Sequence, residues 1–262
     1  MDKKIIFFDI DGTLYAPELG GISKRVKEAI KKTQEKGHLC FIASGRPYGY
    51  IAENVKEVGF DGYVLANGAN IKYQGQDLET RYMDVEAVKT LCLKLKEKSI
   101  EYVLQTSQLC YLSKKCTALL EFYKKCNIDF HNFCFEYDEE EVMKQTVKIE
   151  VWVKDEKELE YAVACYGSFN YELHPDHHSM EVYAKDVSKA TGILDVLKEL
   201  NIPLENSYCF GDGPNDVEMF ETVAHPIAMG NALDIIKERA EVICLSVLED
   251  GVYFQLKDLF DL

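Results

Sequence analysis

Short apolar runs alternate with amphipathic segments in the first quarter of the chain. The runs at 3–10, 38–44 and 61–67 read KKIIFFDI, HLCFIAS and DGYVLAN, and each is typical of a strand buried on both faces. The segments at 23–37 and 50–59 between them have the apolar spacing of helices. Ser23 is a predicted helix N-cap and Gly37 a predicted helix end. Strands and helices that alternate at such short intervals predict right-handed crossovers and a parallel sheet.

The pattern changes between about Tyr82 and Lys185. The segment VKIEVWVKD alternates apolar and polar residues, as a half-exposed antiparallel strand does. This region therefore predicts a separate α+β layer. Its predicted helices cover 84–98, 114–126 and 155–166, and its predicted strands lie near 101–105, 109–113, 147–153, 169–174 and 179–184.

The first pattern resumes after KDVSK at 185–189. The sequence predicts helices at 188–200, 216–222, 231–239 and near 249–259, and strands in SYCFGD, PIAMG and EVICL. The predicted fold is therefore α/β, with a Rossmann-like parallel-sheet core domain formed by 1–81 and 186–262. An α+β domain, 82–185, is expected to be inserted into this core.

Composition and charge restrict the partners of the chain. The 262 residues carry a net charge of −15, which disfavours nucleic acid and anionic membranes as partners. An anionic small substrate would then need local positive charge or a bound cation. The nine cysteines are odd in number and form no CxxC pair, which favours free thiols in a reducing cytoplasm. Only four apolar residues separate MDKK from Asp9, too few for a signal peptide or a membrane span, so we expect a cytoplasmic protein.

Polar residues follow the predicted strands where ligands bind in parallel sheets, at the carboxyl ends. Asp9 and Asp11 close the first strand. A solvated Asp-Gly turn is one interpretation of this pair. However, Asp9 still lies within the apolar run, where an unpaired carboxylate is costly unless it meets a cation. A divalent metal ion would remove that cost, because hard cations prefer oxygen ligands.

Three other segments bring suitable groups to the same edge. Ser44, Gly45 and Arg46 offer a hydroxyl, a backbone N–H and a guanidinium, which suit an oxyanion, although a simple turn has the same composition. Lys189 opens a helix, where a lysine opposes the helix dipole. A surface lysine is the commoner explanation of such a position, but the local penalty suggests that its ammonium has a role elsewhere.

The last of these segments, GDGPND, carries Asp212, Asn215 and Asp216. A turn capped by Asp216 explains it locally. Two further acids beside Asp9 and Asp11 would nevertheless repel one another unless something positive lay among them. Mg²⁺ and a lysine ammonium fit that requirement.

The order and spacing of DIDGT, ASGRP, SK and GDGPND resemble the four motifs of the haloacid dehalogenase superfamily of phosphohydrolases. The NGA at 67–69 and the insertion after Arg46 are similar to the Cof-like group, most of whose members are sugar-phosphate phosphatases. The resemblance covers essentially the whole chain. Within 82–185 it is architectural and carries over no individual residue.

The resemblance implies a role for each motif residue. Asp9 would be the nucleophile that forms an aspartyl-phosphate, and Asp11 the general acid–base. Mg²⁺ would be held by the Asp9 carboxylate, the Asp11 main-chain carbonyl and Asp212, and Asp216 would act from outside that shell. The remaining implied roles are phosphate binding by Ser44, Gly45 and Lys189, a phosphate or leaving-group contact for Arg46, and a position near the metal or the lysine for Asn215.

The insertion would be a cap that closes over the site and selects the leaving group. His174, His177 and His178 precede its second boundary and are expected to lie in a polar hairpin loop, with a substrate contact as the alternative. A phosphomutase of the same superfamily, a phospho-acceptor signalling domain and a non-catalytic metabolite-binding protein remain open as alternatives. The sequence leaves the phosphorylated metabolite and the oligomeric state undetermined.

Overall fold

The computed structural model describes residues 2–125, 128, 130–174 and 177–262. The chain folds into two compact units, each made of discontinuous segments. The first comprises Met1–Gly45, Glu53–Glu79 and Ser188–Leu262, and the second comprises Arg46–Ala52 and Thr80–Val187. Across the described ranges, no helix has the length and apolar character needed to cross a membrane.

The strands, numbered in chain order, are β1 Ile5–Phe8, β2 Leu39–Ala43, β3 Gly62–Leu65, β4 Asn70–Tyr73, β5 Gln76–Thr80, β6 Glu101–Gln105, β7 Cys110–Leu112, β8 Phe133–Cys134, β9 Lys148–Trp152, β10 Phe169–Leu173, β11 Ser179–Ala184, β12 Ser207–Gly211, β13 His225–Ala228 and β14 Val242–Ile243. The α-helices are α1 Lys24–Glu35, α2 Glu53–Lys56, α3 Val85–Glu97, α4 Thr117–Lys125, α5 Glu139–Met143, α6 Glu156–Cys165, α7 Lys189–Glu199, α8 Val217–Thr222, α9 Asp234–Lys237 and α10 Gly251–Phe260. Cys126, the predicted end of the helix at 114–126, lies outside the described residues.

The first unit is built on an eight-stranded sheet in the order β14-β13-β12-β1-β2-β3-β4-β5. β1 lies inside this sheet and pairs in parallel with both β12 and β2. All four β1 residues are fully buried, as expected of an apolar run with structure on both faces. The predicted α/β core with a parallel-rich sheet is therefore confirmed.

One edge of the sheet differs from the prediction. β4 pairs antiparallel with β3, and β5 lies beyond it, so the sheet is mixed rather than wholly parallel. Neither strand is among those predicted from the sequence. β5 has the sequence QDLET and no buried residue, so its side chains give no apolar periodicity from which an edge strand is recognised.

The second unit is built on a six-stranded sheet in the order β10-β11-β9-β6-β7-β8. β9 pairs antiparallel with both β11 and β6. Ile149 and Val151 of β9 are fully buried in an apolar cluster with residues of α3, α5 and α6. The residues that alternate with them, Lys148 and Glu150, are also buried, so the opposite face of this sheet contains buried charge.

The predicted helix at 50–59 is largely absent from the structure. A 3-10 turn at Tyr48–Tyr50 and the four-residue α2 replace it. The chain passes from the second unit to the first between Ala52 and Glu53, in the middle of the predicted helix. Packing of Tyr50 in one unit and of Val55 in the other overrides the local helical pattern.

Candidate active site

Four sequence motifs meet at one edge of the first unit's sheet. Asp9 follows β1, Ser44 follows β2 and Asp212 follows β12, and the pairing of β1 with the other two strands makes these three ends neighbours. Lys189 opens α7. Residues from distant parts of the sequence are therefore brought together where parallel sheets bind ligands.

Lys189 lies at the centre of this group. Its Nζ is 2.6 Å from Asp9 Oδ1 and 2.7 Å from Asp216 Oδ1. The lysine and Asp216 are almost completely buried, and Asp9 is 6% exposed. Burial alone would lower the pKa of Lys189, but the two carboxylates reverse this and raise it above its ordinary value. The ammonium is therefore held charged inside the protein.

Asp216 uses its second oxygen to organise the loop after β12. Oδ2 accepts hydrogen bonds from the backbone N–H groups of Asp212 and Gly213, at 3.0 and 3.1 Å. The carboxylate thus caps the 3-10 turn Pro214–Asp216 and also holds Lys189. Both interpretations of Asp216 therefore hold, because Oδ2 caps the turn and Oδ1 accepts from Lys189.

Asp212 is tied to the first motif. Thr13, which is 1% exposed, donates a hydrogen bond from Oγ1 to Asp212 Oδ1 at 3.0 Å. Gly12 has φ of +82°, and a Cβ there would lie 2.1 Å from Asp212 Oδ2. The turn after β1 consequently needs glycine both for its backbone conformation and for the approach of this carboxylate.

The carboxylates outnumber the ammonium. One oxygen from each of Asp9, Asp212 and Asp216 lies within 4.8 Å of the others. Burial raises the pKa of Asp9, with Asp216 and Asp11 adding to the effect and Lys189 opposing it. Burial, aided by the charge of Asp216, raises the pKa of Asp212 to about 6. This excess of negative charge, on two buried carboxylates and one half-buried carboxylate that offer hard oxygen donors, fits a divalent cation such as Mg²⁺.

The other predicted residues have different environments. Asp11 is exposed and forms an isolated bridge with Tyr15 in the turn after β1. Ser44 is 3% exposed, and its backbone N–H donates to Val64 O while its carbonyl accepts from the N–H of Asn67. Asn215 is exposed in the turn after β12. The structure therefore groups Asp9, Lys189, Asp212 and Asp216 most closely.

Gly45 and Arg46 are consecutive in sequence but belong to different units. Gly45 ends the first segment of the first unit, and Arg46 begins the second unit. Within that second unit, Arg46 Nη1 donates a hydrogen bond to the backbone carbonyl of Tyr50 at 3.2 Å. The sequence predicts Arg46 at the same sheet edge as Ser44 and Gly45, and no local feature of it indicates this change of unit.

Two glycines, to which no packing role was assigned from the sequence, allow α7 to reach the site. Gly68 has φ of +99°, and a Cβ there would lie 2.0 Å from Ser188 O. A Cβ on Gly192 would lie 2.5 Å from Val64 Cγ1 and 3.0 Å from Gly68 Cα. The helix that carries Lys189 is thus packed closely against β3 and the turn that follows it. In the sequence, the NGA motif and the glycine one turn into α7 are the features that could have indicated this close packing.

His174, His177 and His178 of the second unit lie in the connection between β10 and β11. His174 Nε2 is 3.5 Å from Glu181 Oε1, and Lys148 Nζ is 2.6 Å from the same oxygen. Partial burial of Glu181 favours a higher pKa, but Lys148 and His174 overcome that effect and lower the pKa to about 2. His177 has φ of +58°, and His178 Nδ1 lies 2.9 Å from Val153 O. His174 is thus part of an ion-pair network rather than only a loop residue.

Comparisons with known proteins agree with these motifs. The family model of haloacid dehalogenase-like hydrolases matches residues 6–256. "Putative phosphatase YkrA" of Bacillus subtilis (strain 168) is 30% identical over 268 residues, covering 99% of this chain and 98% of the relative. The 5-amino-6-(5-phospho-D-ribitylamino)uracil phosphatase YcsE of the same organism is 27% identical, with 96% and 94% covered. The solved structure of the HAD subclass IIB sugar phosphatase BT4131 has a TM-score of 0.82 and 26% identity, with 98% and 99% covered.

Proposed function

The chain belongs to the haloacid dehalogenase-like hydrolases and is a phosphoric monoester hydrolase, and we propose that it is a magnesium-dependent phosphatase of small phosphorylated metabolites. Sugar phosphates are the main proposed class of substrate. The observation that carries the proposal is Lys189, buried between Asp9 and Asp216 with Asp212 beside them. A buried ammonium among three carboxylates is costly to maintain for stability alone. It suits a site that must hold a nucleophilic carboxylate close to an anionic phosphoryl group.

The first step of the proposed reaction is attack by Asp9. A carboxylate oxygen of Asp9 bonds to phosphorus, and the bond from phosphorus to the ester oxygen breaks. Asp11 donates a proton to the departing alkoxide, so the leaving group departs as a neutral alcohol. The product on the enzyme is an aspartyl-phosphate. Asp11 suits proton transfer because it lies in the turn after β1, two residues beyond Asp9, and is exposed to solvent.

The second step regenerates the enzyme. Asp11 accepts a proton from a water molecule, whose oxygen attacks phosphorus and displaces the Asp9 carboxylate. Inorganic phosphate is released, and Asp9 returns to its ionised form beside Lys189. The fixed ammonium favours that ionised form, because its hydrogen bond to Asp9 is a charge-assisted one in a buried environment.

Mg²⁺ would be held by Asp9, Asp212 and the Asp11 main-chain carbonyl. When bound, it would neutralise charge on the phosphoryl group and orient the phosphate. Asp216 suits a supporting position rather than that of a ligand, since its oxygens already accept from Lys189 and from two backbone N–H groups. Its role is to fix Lys189 and the Asp212 backbone. Asn215 lies next to it in the same turn and is proposed to lie near the metal or Lys189.

Phosphate binding is proposed for Ser44, Gly45 and Lys189. The Ser44 backbone is fixed by hydrogen bonds to Val64 and Asn67, so its hydroxyl and the following N–H are held by the sheet edge. Preorganised donors of this kind stabilise developing charge without rearranging during the reaction. Arg46 is proposed to contact either the phosphate or the leaving group.

The insertion at 82–185, which lies within the second unit, is proposed to act as the specificity-determining cap, and phosphorylated metabolites are the proposed partners. The names of the sugar phosphatase BT4131 and of YcsE suggest sugar phosphates and 5-amino-6-(5-phospho-D-ribitylamino)uracil as the first compounds to examine. Cap surfaces select the leaving group because they exclude water and contact the part of the substrate that does not react.

The test is a phosphate-release assay over a panel of sugar phosphates, pyridoxal phosphate and flavin-precursor phosphates, with Mg²⁺ present and then removed by chelator. We expect release that needs Mg²⁺ and is absent in Asp9→Asn, whose near-isosteric amide keeps the fold but cannot act as the nucleophile. Asp258→Asn, which alters an exposed carboxylate of α10, is the matched control. Activity that survives in purified Asp9→Asn would contradict the assigned nucleophile.

The same assay separates the alternatives. Stable phosphorylation of Asp9 without phosphate release would favour a phospho-acceptor domain. A requirement for an added bisphosphate, with transfer to a sugar instead of water, would favour a phosphomutase. Binding of metabolites without turnover would favour a non-catalytic protein. None of these outcomes is expected, because the nucleophile, acid–base, phosphate-binding and metal-binding positions all carry suitable side chains.

A further inference from the structure

Residues Arg46–Ala52 form a strap that directly follows the proposed phosphate-binding residues. Gly45 belongs to the first unit, but the strap packs as part of the second unit, and Glu53 returns to the first. The strap is seven residues long and contains a 3-10 turn at Tyr48–Tyr50. The peptide bond after Gly45 therefore joins the proposed phosphate-binding segment to a segment that packs within the second unit.

Tyr50 anchors the strap through its aromatic ring. The ring is 9% exposed and belongs to an apolar cluster of the second unit. Its centroid lies 5.5 Å from that of Phe133 in a stacked arrangement and 5.5 Å from that of Tyr123 in an edge arrangement. Aromatic pairs at these distances and orientations are favourable in addition to the burial of their area.

Polar contacts anchor the same residues. The Tyr50 hydroxyl donates to Glu150 Oε2 at 3.4 Å, and Tyr123 donates to the same oxygen at 2.7 Å. Asn132 Nδ2 donates to the Gly49 carbonyl at 3.2 Å. A Cβ on Gly49 would lie 3.2 Å from both Asn132 Cβ and Cys110 Sγ, so glycine permits this close approach.

The strap also orients Arg46. The guanidinium donates from Nη1 to the carbonyl of Tyr50, the residue whose ring is anchored. This hydrogen bond links the Arg46 guanidinium to the Tyr50 backbone. Loss of the Tyr50 ring would remove the packing that holds the residue carrying this carbonyl acceptor.

We propose that Tyr50 is a positioning residue for phosphate binding, acting through Arg46 and through the backbone that leads back to Gly45 and Ser44. The inference rests on the proposed function of those residues. An anchored strap restricts the conformations of the segment that precedes it, so less ordering remains when a phosphate binds. The hydroxyl adds one long hydrogen bond, whereas the ring makes the packing contacts, so the ring carries most of the effect.

The test measures inorganic phosphate binding by calorimetry in the presence of Mg²⁺, together with KM and kcat. Tyr50→Ala should weaken phosphate binding about tenfold and raise KM by a similar factor. Tyr50→Phe, which keeps the ring, should remain within about twofold of the wild type. Asn132→Ala removes the contact to Gly49 and provides a milder second variant, with an expected loss of about threefold.

Phe122→Ala is the matched control. Phe122 packs on Trp152 and Tyr123 in the same aromatic cluster, with centroids 5.1 and 5.6 Å away. It should lower the melting temperature as Tyr50→Ala does but leave phosphate binding within about twofold.

Equal losses of phosphate binding in Phe122→Ala and Tyr50→Ala would overturn the proposal, because general destabilisation would then explain both. Wild-type affinity in folded Tyr50→Ala would also overturn it, as would a wild-type protein that does not bind phosphate. Failure of the proposed function would be visible separately, as phosphate binding without release of phosphate from any ester.

Discussion

The ammonium of Lys189 lies 2.6 Å from Asp9 Oδ1, with the lysine side chain 1% and the aspartate side chain 8% exposed. The same ammonium also contacts Asp216, so one positive charge compensates two carboxylates. Removing it would leave those carboxylates buried without their cation. A buried charge that loses its partner is far more costly than the intact pair is favourable.

Lys189→Met should therefore lower the free energy of unfolding by about 3 kcal/mol in metal-free buffer near neutral pH. Urea denaturation would measure this loss, and added Mg²⁺ should restore part of it by supplying positive charge. Lys198→Met replaces an exposed lysine near the end of the same helix and should cost less than about 0.5 kcal/mol. Equal effects of the two substitutions would show that Lys189 is not the counterion of the cluster.

Thr13→Val should weaken Mg²⁺ binding about tenfold, since groups that orient metal ligands typically contribute this much. The substitution removes the hydroxyl that donates to Asp212 Oδ1, while Thr13→Ser retains it. Titration of the melting temperature with Mg²⁺ gives the affinity of each variant. If the valine and serine variants bind Mg²⁺ equally well, the hydroxyl has no part in the metal site.

Gly68→Ala should lower the free energy of unfolding by about 2–3 kcal/mol and reduce activity more than tenfold. The added Cβ would press against the Ser188 carbonyl and displace the helix that begins with Lys189. Gly75→Ala is the control, because Gly75 has a similar φ of +81° but no atom within 4 Å of its added Cβ. We expect a loss of about 1 kcal/mol there and unchanged turnover. A comparable loss of activity in both variants would contradict the assigned packing role.

The ion pair of His174 predicts a pH-dependent stability. The hydrogen bond to Glu181 raises the pKa of His174 above 6.5, with burial opposing it and Glu181, Glu150 and Lys148 contributing charge effects. A raised histidine pKa adds stability that is fully present below the unfolded pKa and is lost as the pH rises through the folded pKa. The difference in unfolding free energy between the wild type and His174→Gln should therefore be larger near about pH 5.5 than near about pH 8.5.

Glu181→Gln supplies the control for this prediction. The substitution removes the carboxylate that holds the imidazolium, so His174→Gln made in that background should show a much smaller dependence on pH. Urea unfolding at the two pH values would measure all four proteins of the cycle. An unchanged pH dependence in the Glu181→Gln background would place the partner of His174 elsewhere.

The sequence predicted the position of β1 and the start of α7 because local patterns determine them. Four apolar residues before Asp9 identify a buried strand, and the pattern after KDVSK predicts a helix over 188–200, which the structure has as Lys189–Glu199. The carboxyl ends of parallel strands then converge by topology alone. The grouping of Asp9, Asp212 and Asp216 within one cluster follows from that rule and from no local feature of any single segment.

The features that the sequence did not reveal depend on contacts between residues far apart in the chain. Tyr50 bonds to Glu150, 100 residues away, and this packing shortens a segment whose local pattern is helical. Gly68 is needed because Ser188 approaches it closely, and neither position indicates the other in sequence. The edge strand β5 has too few apolar residues to be recognised by periodicity.

The division of the second unit into a short strap and a long insertion has a consequence for building chimeras. A transplant of residues 80–187 alone into a related enzyme would separate Phe133 and Glu150 from the tyrosine that packs on them. The recipient's own loop after its second motif would then have to pack on an aromatic cluster from a different protein. Exchange of substrate preference between relatives should succeed more often when residues 46–52 are transferred with the larger fragment. The two segments of the second unit therefore need to be moved together.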